Sequence, residues 1–140
     1  MSRLGDIAVR IEGPARSAGL GGGVAALLSE LADRLDRLAL TGDASSIDLR
    51  SLPLSPEDLQ LLQETLGEGE VQAQLQAGGA SAIRETAVAG LWWTLHRDPR
   101  GELSAELLDI ARVPPILERA ADEIQAAARE LRIRIAAGIS

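Results

Sequence analysis

Gly69-Glu70-Val71-Gln72-Ala73-Gln74-Leu75-Gln76 decides the fold. From residue 71 onward apolar and polar side chains alternate one for one. Neighbouring side chains on an extended strand point to opposite faces, so Val71, Ala73 and Leu75 share one face and the three glutamines the other. One covered face and one wet face is the pattern of an antiparallel sheet. Upstream, Gly67 ends a helix that begins at Ser55-Pro56-Glu57-Asp58. Ser55 suits the N-cap, Pro56 the first helical position, and Asp58 the place where a capping box carries a carboxylate or amide. Before it, Ser46 to Arg50 reads as a short strand that leaves through Leu52-Pro53-Leu54. Val24, Leu27, Leu28, Leu31, Leu35 and Leu38 recur at helical spacing, which predicts an amphipathic helix over Val24 to Leu40 stopped by Gly42.

Downstream, Gly78-Gly79 turns the chain, and Ile83 to Val88 and Leu91 to His96 read as strands separated by Gly90. Asp98-Pro99-Arg100-Gly101 is a tight turn into a returning strand, Glu102 to Ala111. Val113-Pro114-Pro115 opens a final helix to about Ala137, with Ile116, Ala120, Ile124, Ala127, Leu131 and Ile135 as its expected buried stripe. At the other end, residues 6–12 suggest one more short strand, followed by a glycine-rich arm. The expectation is an α+β fold: an antiparallel-rich sheet of four to five strands with three helices mainly on one face. Residues 1–22 form the arm and residues 23–140 a single domain.

The core must be aliphatic, because the chain has two Trp and no Phe or Tyr. With no Cys and one His, disulfides, thiolate metal sites and cysteine nucleophiles are excluded, and a histidine-based metal or catalytic set has too few members. A net charge of −7 disfavours nucleic acid and anionic membrane surfaces. No run of 18 apolar residues exists. The start of the chain lacks the pattern of a signal peptide, so the cytoplasm is the expected compartment. Gly19-Leu20-Gly21-Gly22-Gly23 reads as a linker rather than a dinucleotide loop, and Gly67-Glu68-Gly69-Glu70 carries carboxylates that would repel a phosphate. The inventory predicts no enzyme and no cofactor, and a protein that acts through its surface.

Trp92 and Trp93 are adjacent, so they face opposite ways. Trp93 shares a face with Leu91 and Leu95 and is expected inside. Trp92, beside Thr94 and His96, is expected outside as a binding anchor, unless the last helix or the N-terminal arm covers it. The partner-binding face is placed at Glu68, Glu85, Thr86, Trp92 and His96. The alternative is a small ligand-binding or enzymatic pocket near Glu85 and His96.

Four blocks in order resemble one family. They are Ile47-Asp48-Leu49-Arg50-Ser51-Leu52-Pro53-Leu54-Ser55; Leu66-Gly67-Glu68-Gly69-Glu70-Val71; Ile83-Arg84-Glu85-Thr86-Ala87 with Gly90-Leu91-Trp92-Trp93; and Ile110-Ala111-Arg112-Val113-Pro114. They span roughly residues 24–118 and resemble the HupH/HyaF hydrogenase expression and formation proteins, in their C-terminal conserved domain. The resemblance marks Pro53, Ser55, Gly67, Gly69, Gly90 and Trp93 as structural positions. It implies a cytoplasmic maturation chaperone or scaffold for an uptake nickel–iron hydrogenase. The implied client is the iron–sulfur small-subunit precursor before twin-arginine export, with other assembly proteins as partners and no bound cofactor. Pro115 stands where the family pattern has an acidic residue, so no role passes to it. Longer members resemble two diverged copies in tandem, and a single copy is expected to pair with itself as a homodimer, with Ile133 and Ile139 in the contact.

Overall fold

The computed structural model describes residues 22–76 and 78–138. The suggested strand at 6–12 and its arm, and Ile139, lie outside these residues. Helix α1 spans Gly22–Thr41, and strand β1 spans Ser45–Asp48. A 3-10 turn, Leu49–Ser51, leads to helix α2, Pro56–Leu66. Strands β2 (Gln72–Gln76), β3 (Ala80–Glu85), β4 (Leu91–Arg97) and β5 (Leu103–Ile110) follow. A short 3-10 turn at Pro115–Leu117 precedes helix α3, Ala121–Ala136.

The sheet runs β1-β5-β4-β3-β2, and every pairing is antiparallel. The α+β class and the five-stranded sheet are as the sequence predicts. Strands β2 to β5 form a meander of successive hairpins, and β1 joins on the far side of β5. The turn at residues 98–101 forms as expected: the Gly101 amide donates to Asp98 O at 2.9 Å, and Asp98 Oδ1 accepts from the amides of Arg100 and Glu102.

Directly opposed residues share a face, so the register sorts the side chains. Ile47, Leu108 and Ile110, with Leu91 and Trp93, occupy the face that α1 and α2 cover. Val24, Leu27, Leu31 and Leu38 of α1 and Leu62 and Leu66 of α2 complete that apolar cluster. Helix α2 starts as the capping box requires: Ser55 Oγ accepts from the Asp58 amide and Asp58 Oδ2 accepts from the Ser55 amide, both at 3.0 Å.

The final helix differs from expectation. It begins at Ala121 instead of at the prolines, and none of its residues is buried. Ile116, Ile124, Leu131 and Ile135, expected as a covered stripe, are all exposed, as is Ile133. The physical reason lies in the sheet: α1 and α2 already occupy the helix-bearing face over β1, β5 and β4.

Candidate functional site

The opposite face of the sheet carries Ser46, Asp109, Trp92 and Glu85 in one row of opposed residues, and Asp48, Leu107, Thr94, Ile83 and Ala73 in another. Part of this face is interior. Asp109 and Thr94 are buried polar residues. Thr94 Oγ1 donates to Asp109 Oδ2 at 2.7 Å, and Ser46 Oγ donates to Asp109 Oδ1 at 2.8 Å. A buried carboxylate is tolerated where its lone pairs are satisfied in this way. The two hydroxyls tie the edge strand β1 and the central strand β4 to β5.

Trp92 corrects the sequence reading. Its parity is as expected, since it lies on the face opposite Trp93, but that face is not solvent here. Trp92 is 6% exposed. Its Nε1–H donates to Ala111 O at 3.0 Å, just past the end of β5. The alternation rule tells which way a side chain points and says nothing of what waits there. Trp92 is therefore no surface anchor in the free protein. Acrylamide is expected to quench the fluorescence of the native chain weakly, with neither indole accessible, and strongly after unfolding. Strong quenching of one Trp in the native state contradicts the burial.

Thr86 is also interior, 1% exposed. Its amide donates to Leu91 O at 3.0 Å and its Oγ1 accepts from the Val88 amide at 3.1 Å, closing the β3–β4 turn. Gly90 completes that turn at φ +86, a conformation other residues adopt only with strain.

The loop that carries Glu68 pairs with the strand end that carries Glu85. Gly69 donates its amide to Glu85 O at 2.8 Å, Glu85 donates to Val71 O at 2.9 Å, and Ala87 donates to Leu66 O at 2.9 Å. The loop Leu66–Val71 thus runs along the end of β3 and continues its pairing beyond β2. Gly67 supplies a positive φ of +69 where α2 ends. Glu68 and Glu70 are exposed and Glu85 is half-buried. Glu68 and Glu70 on the loop and Glu85 on β3 therefore belong to one corner of the sheet.

His96 does not join them. Glu85 is opposite Trp92, whereas His96 is opposite Ser81, four residues further along β4. At the rise of an extended strand that is about 13 Å. The His96 Nδ1 pairs with Ser81 Oγ at 2.7 Å. A compact pocket built on both Glu85 and His96 is therefore not formed.

On the helix-bearing face, beyond the helices, a cleft of about 110 Å³ lies among Gln72, Gln74, Arg84, Trp93 and Leu95. Trp93 Nε1–H donates to Glu106 Oε2 at 2.8 Å, and the Arg84 guanidinium stands 5.3 Å from the Trp93 ring centroid. That is cation–π range. Arg84 Nη1 is buried without a hydrogen-bond partner. Sequence reasoning missed this cluster, because Arg84, Trp93 and Glu106 belong to three strands and only the register unites them. The cleft is much smaller than a drug-sized ligand site. A larger groove of about 430 Å³ runs between α1 and Leu52-Pro53-Leu54, with Pro53 exposed on its wall. Among the described residues, no three His, Asp or Glu side chains converge as metal ligands, and no helix is long and apolar enough to cross a membrane.

The fold and its buried polar row define a small α+β protein that presents a sheet, an acidic corner and a helix with no buried residue. The chain belongs to the HupH hydrogenase expression protein family: its residues 23–137 match the C-terminal conserved region of those proteins. It is 38% identical over 96 residues to the hydrogenase expression/formation protein HoxQ of Azotobacter vinelandii, covering 69% of this chain and 33% of that one. It is 36% identical over 104 residues to the hydrogenase-1 operon protein HyaF of Escherichia coli K12, covering 71% and 35%. The chain thus spans about a third of the length of these curated relatives. A solved structure of the hydrogenase expression protein HupH from Thiobacillus denitrificans superposes with a TM-score of 0.77 at 41% identity. That match covers 83% of this chain and 97% of the other.

Proposed function

We propose that this chain is a non-enzymatic accessory protein in the maturation of an uptake nickel–iron hydrogenase. Its place of action is the cytoplasm, its client the iron–sulfur small-subunit precursor, and it works without a cofactor of its own. Residues 23–140 act as one domain, and two copies work as a homodimer.

The observation that carries the reading is the acidic corner, where the Leu66–Val71 loop, with Glu68 and Glu70, pairs with the end of β3, with Glu85. A cluster of carboxylates on a protein of net charge −7 attracts a basic segment such as a twin-arginine leader, and charge complementarity of this kind steers association and selects partners. The family names of the relatives point to hydrogenase assembly. Thr86 and Trp92 support the corner from inside, and His96 stands apart from it.

Capture of the small-subunit precursor on immobilised protein tests this. The full precursor is expected to bind, and the leaderless form to bind more weakly. A Glu68→Gln, Glu70→Gln, Glu85→Gln chain is expected to lose about tenfold in affinity, from three charge contacts of modest strength. Equal capture with and without the leader rejects leader recognition, and no capture at all rejects the client.

A further inference from the structure

Helix α3 is built like a helix with a partner, yet among the described residues it has none. Ala121, Ile124, Ala128, Leu131 and Ile135 are spaced alternately by three and four residues. That is the 3.5-residue repeat of a two-helix seam. Ile124, Leu131 and Ile135 are 59%, 57% and 64% exposed. An isolated helix of this length is marginal in water and draws its stability from packing.

The charges say what the partner is. Residues 118–123 hold three carboxylates (Glu118, Asp122 and Glu123) against one guanidinium, Arg119. Residues 129–134 hold three guanidinium groups (Arg129, Arg132 and Arg134) against one carboxylate, Glu130. One end of the helix is net negative and the other net positive. A second copy laid antiparallel sets each acidic end beside a basic end, and opposes the helix dipoles favourably as well. A parallel copy sets like against like. An antiparallel pair also closes on itself about a two-fold axis, with the same patch used by both copies.

We propose that two copies of this chain associate through an antiparallel α3–α3 seam formed by Ile124, Ala128, Leu131 and Ile135. This specifies the surface of the homodimer proposed above and rests on that paired form. It does not depend on the hydrogenase client. Ile133 lies off the seam, so the contact differs from the one the sequence suggested.

Light scattering of the purified full chain is expected to give twice its 14.7 kDa mass. A Leu131→Glu chain is expected to run as a monomer with an unchanged sheet signal in circular dichroism, because α3 contributes no buried residue to the rest of the fold. The absence of cysteine makes orientation measurable. Gln125→Cys and Arg132→Cys chains, mixed and oxidised, are expected to cross-link mainly to each other. A monomeric wild-type chain, a dimer indifferent to Leu131→Glu, or cross-linking of each variant mainly to itself would each overturn the seam. All three measurements use the chain alone, so their failure leaves precursor capture to be judged separately.

Discussion

A Trp93→Ala chain is expected to lose about 3–5 kcal/mol of stability, the range for truncating a large buried aromatic side chain. Trp93 is 1% exposed and belongs to the cluster of Leu91, Leu108, Ile110 and the inner faces of α1 and α2. The chain has no other aromatic residue on this face, so no neighbouring ring can move in to fill the space. The loss has a polar part too. Glu106 gives up the donor it accepts from at 2.8 Å, and Arg84 loses the ring it stands over. A domain of this size is stable by about 5–15 kcal/mol, so the variant sits near the limit of folding. Urea titration followed by circular dichroism measures it, since the variant retains only the Trp92 fluorophore. A loss below about 1 kcal/mol would mean that the cluster collapses around the gap far better than such cores do.

The second large effect is expected at Gly69. A Cβ built there would lie 2.6 Å from Thr86 O and 3.2 Å from Glu85 Cβ. The first of these is backbone, which cannot turn aside. Gly69→Val must push the Leu66–Val71 loop away from β3, breaking the hydrogen bond from its own amide to Glu85 O. Forced overpacking of this kind costs about 1–3 kcal/mol, and the lost pairing adds to it. Hydrogen exchange at Gly69, Glu85 and Ala87 is expected to rise by at least tenfold while α1 and β5 stay protected. Because the loop carries Glu68 and Glu70, the same variant is expected to weaken precursor capture. Unchanged exchange at Glu85 would show that the loop is held by something other than this contact.

The glutamine alternation at residues 72–76, the capping box at Ser55 and the turn at residues 98–101 were legible because each is a local rule acting within a few residues. Trp93 inside was legible for the same reason: it shares the parity of Leu91. The burial of Trp92 is not legible, because the acceptor of its indole N–H, Ala111 O, lies 19 residues away. The Thr94–Asp109–Ser46 row was invisible for the same cause, spanning three strands from distant parts of the chain. The separation of Glu85 from His96 needs the register. The expected α3 stripe is periodic, yet it is not buried. Periodicity reports that a face wants cover, and it is silent on whether the cover comes from the same chain.

The place of β1 in the sheet has a consequence for biosynthesis. Ser45 lies opposite Ile110, sixty-five positions later, while β2 to β5 pair with one another in sequence order. The meander can zip up by short loops, but β1 must wait for β5 to leave the ribosome, and long-range pairings of this sort slow the search for the native state. Until then the leucines of α1 and α2 have no sheet to rest on. Until β5 emerges the nascent chain carries greasy, unsheltered helices, and the pairing that shelters them is the capture of β1 by β5.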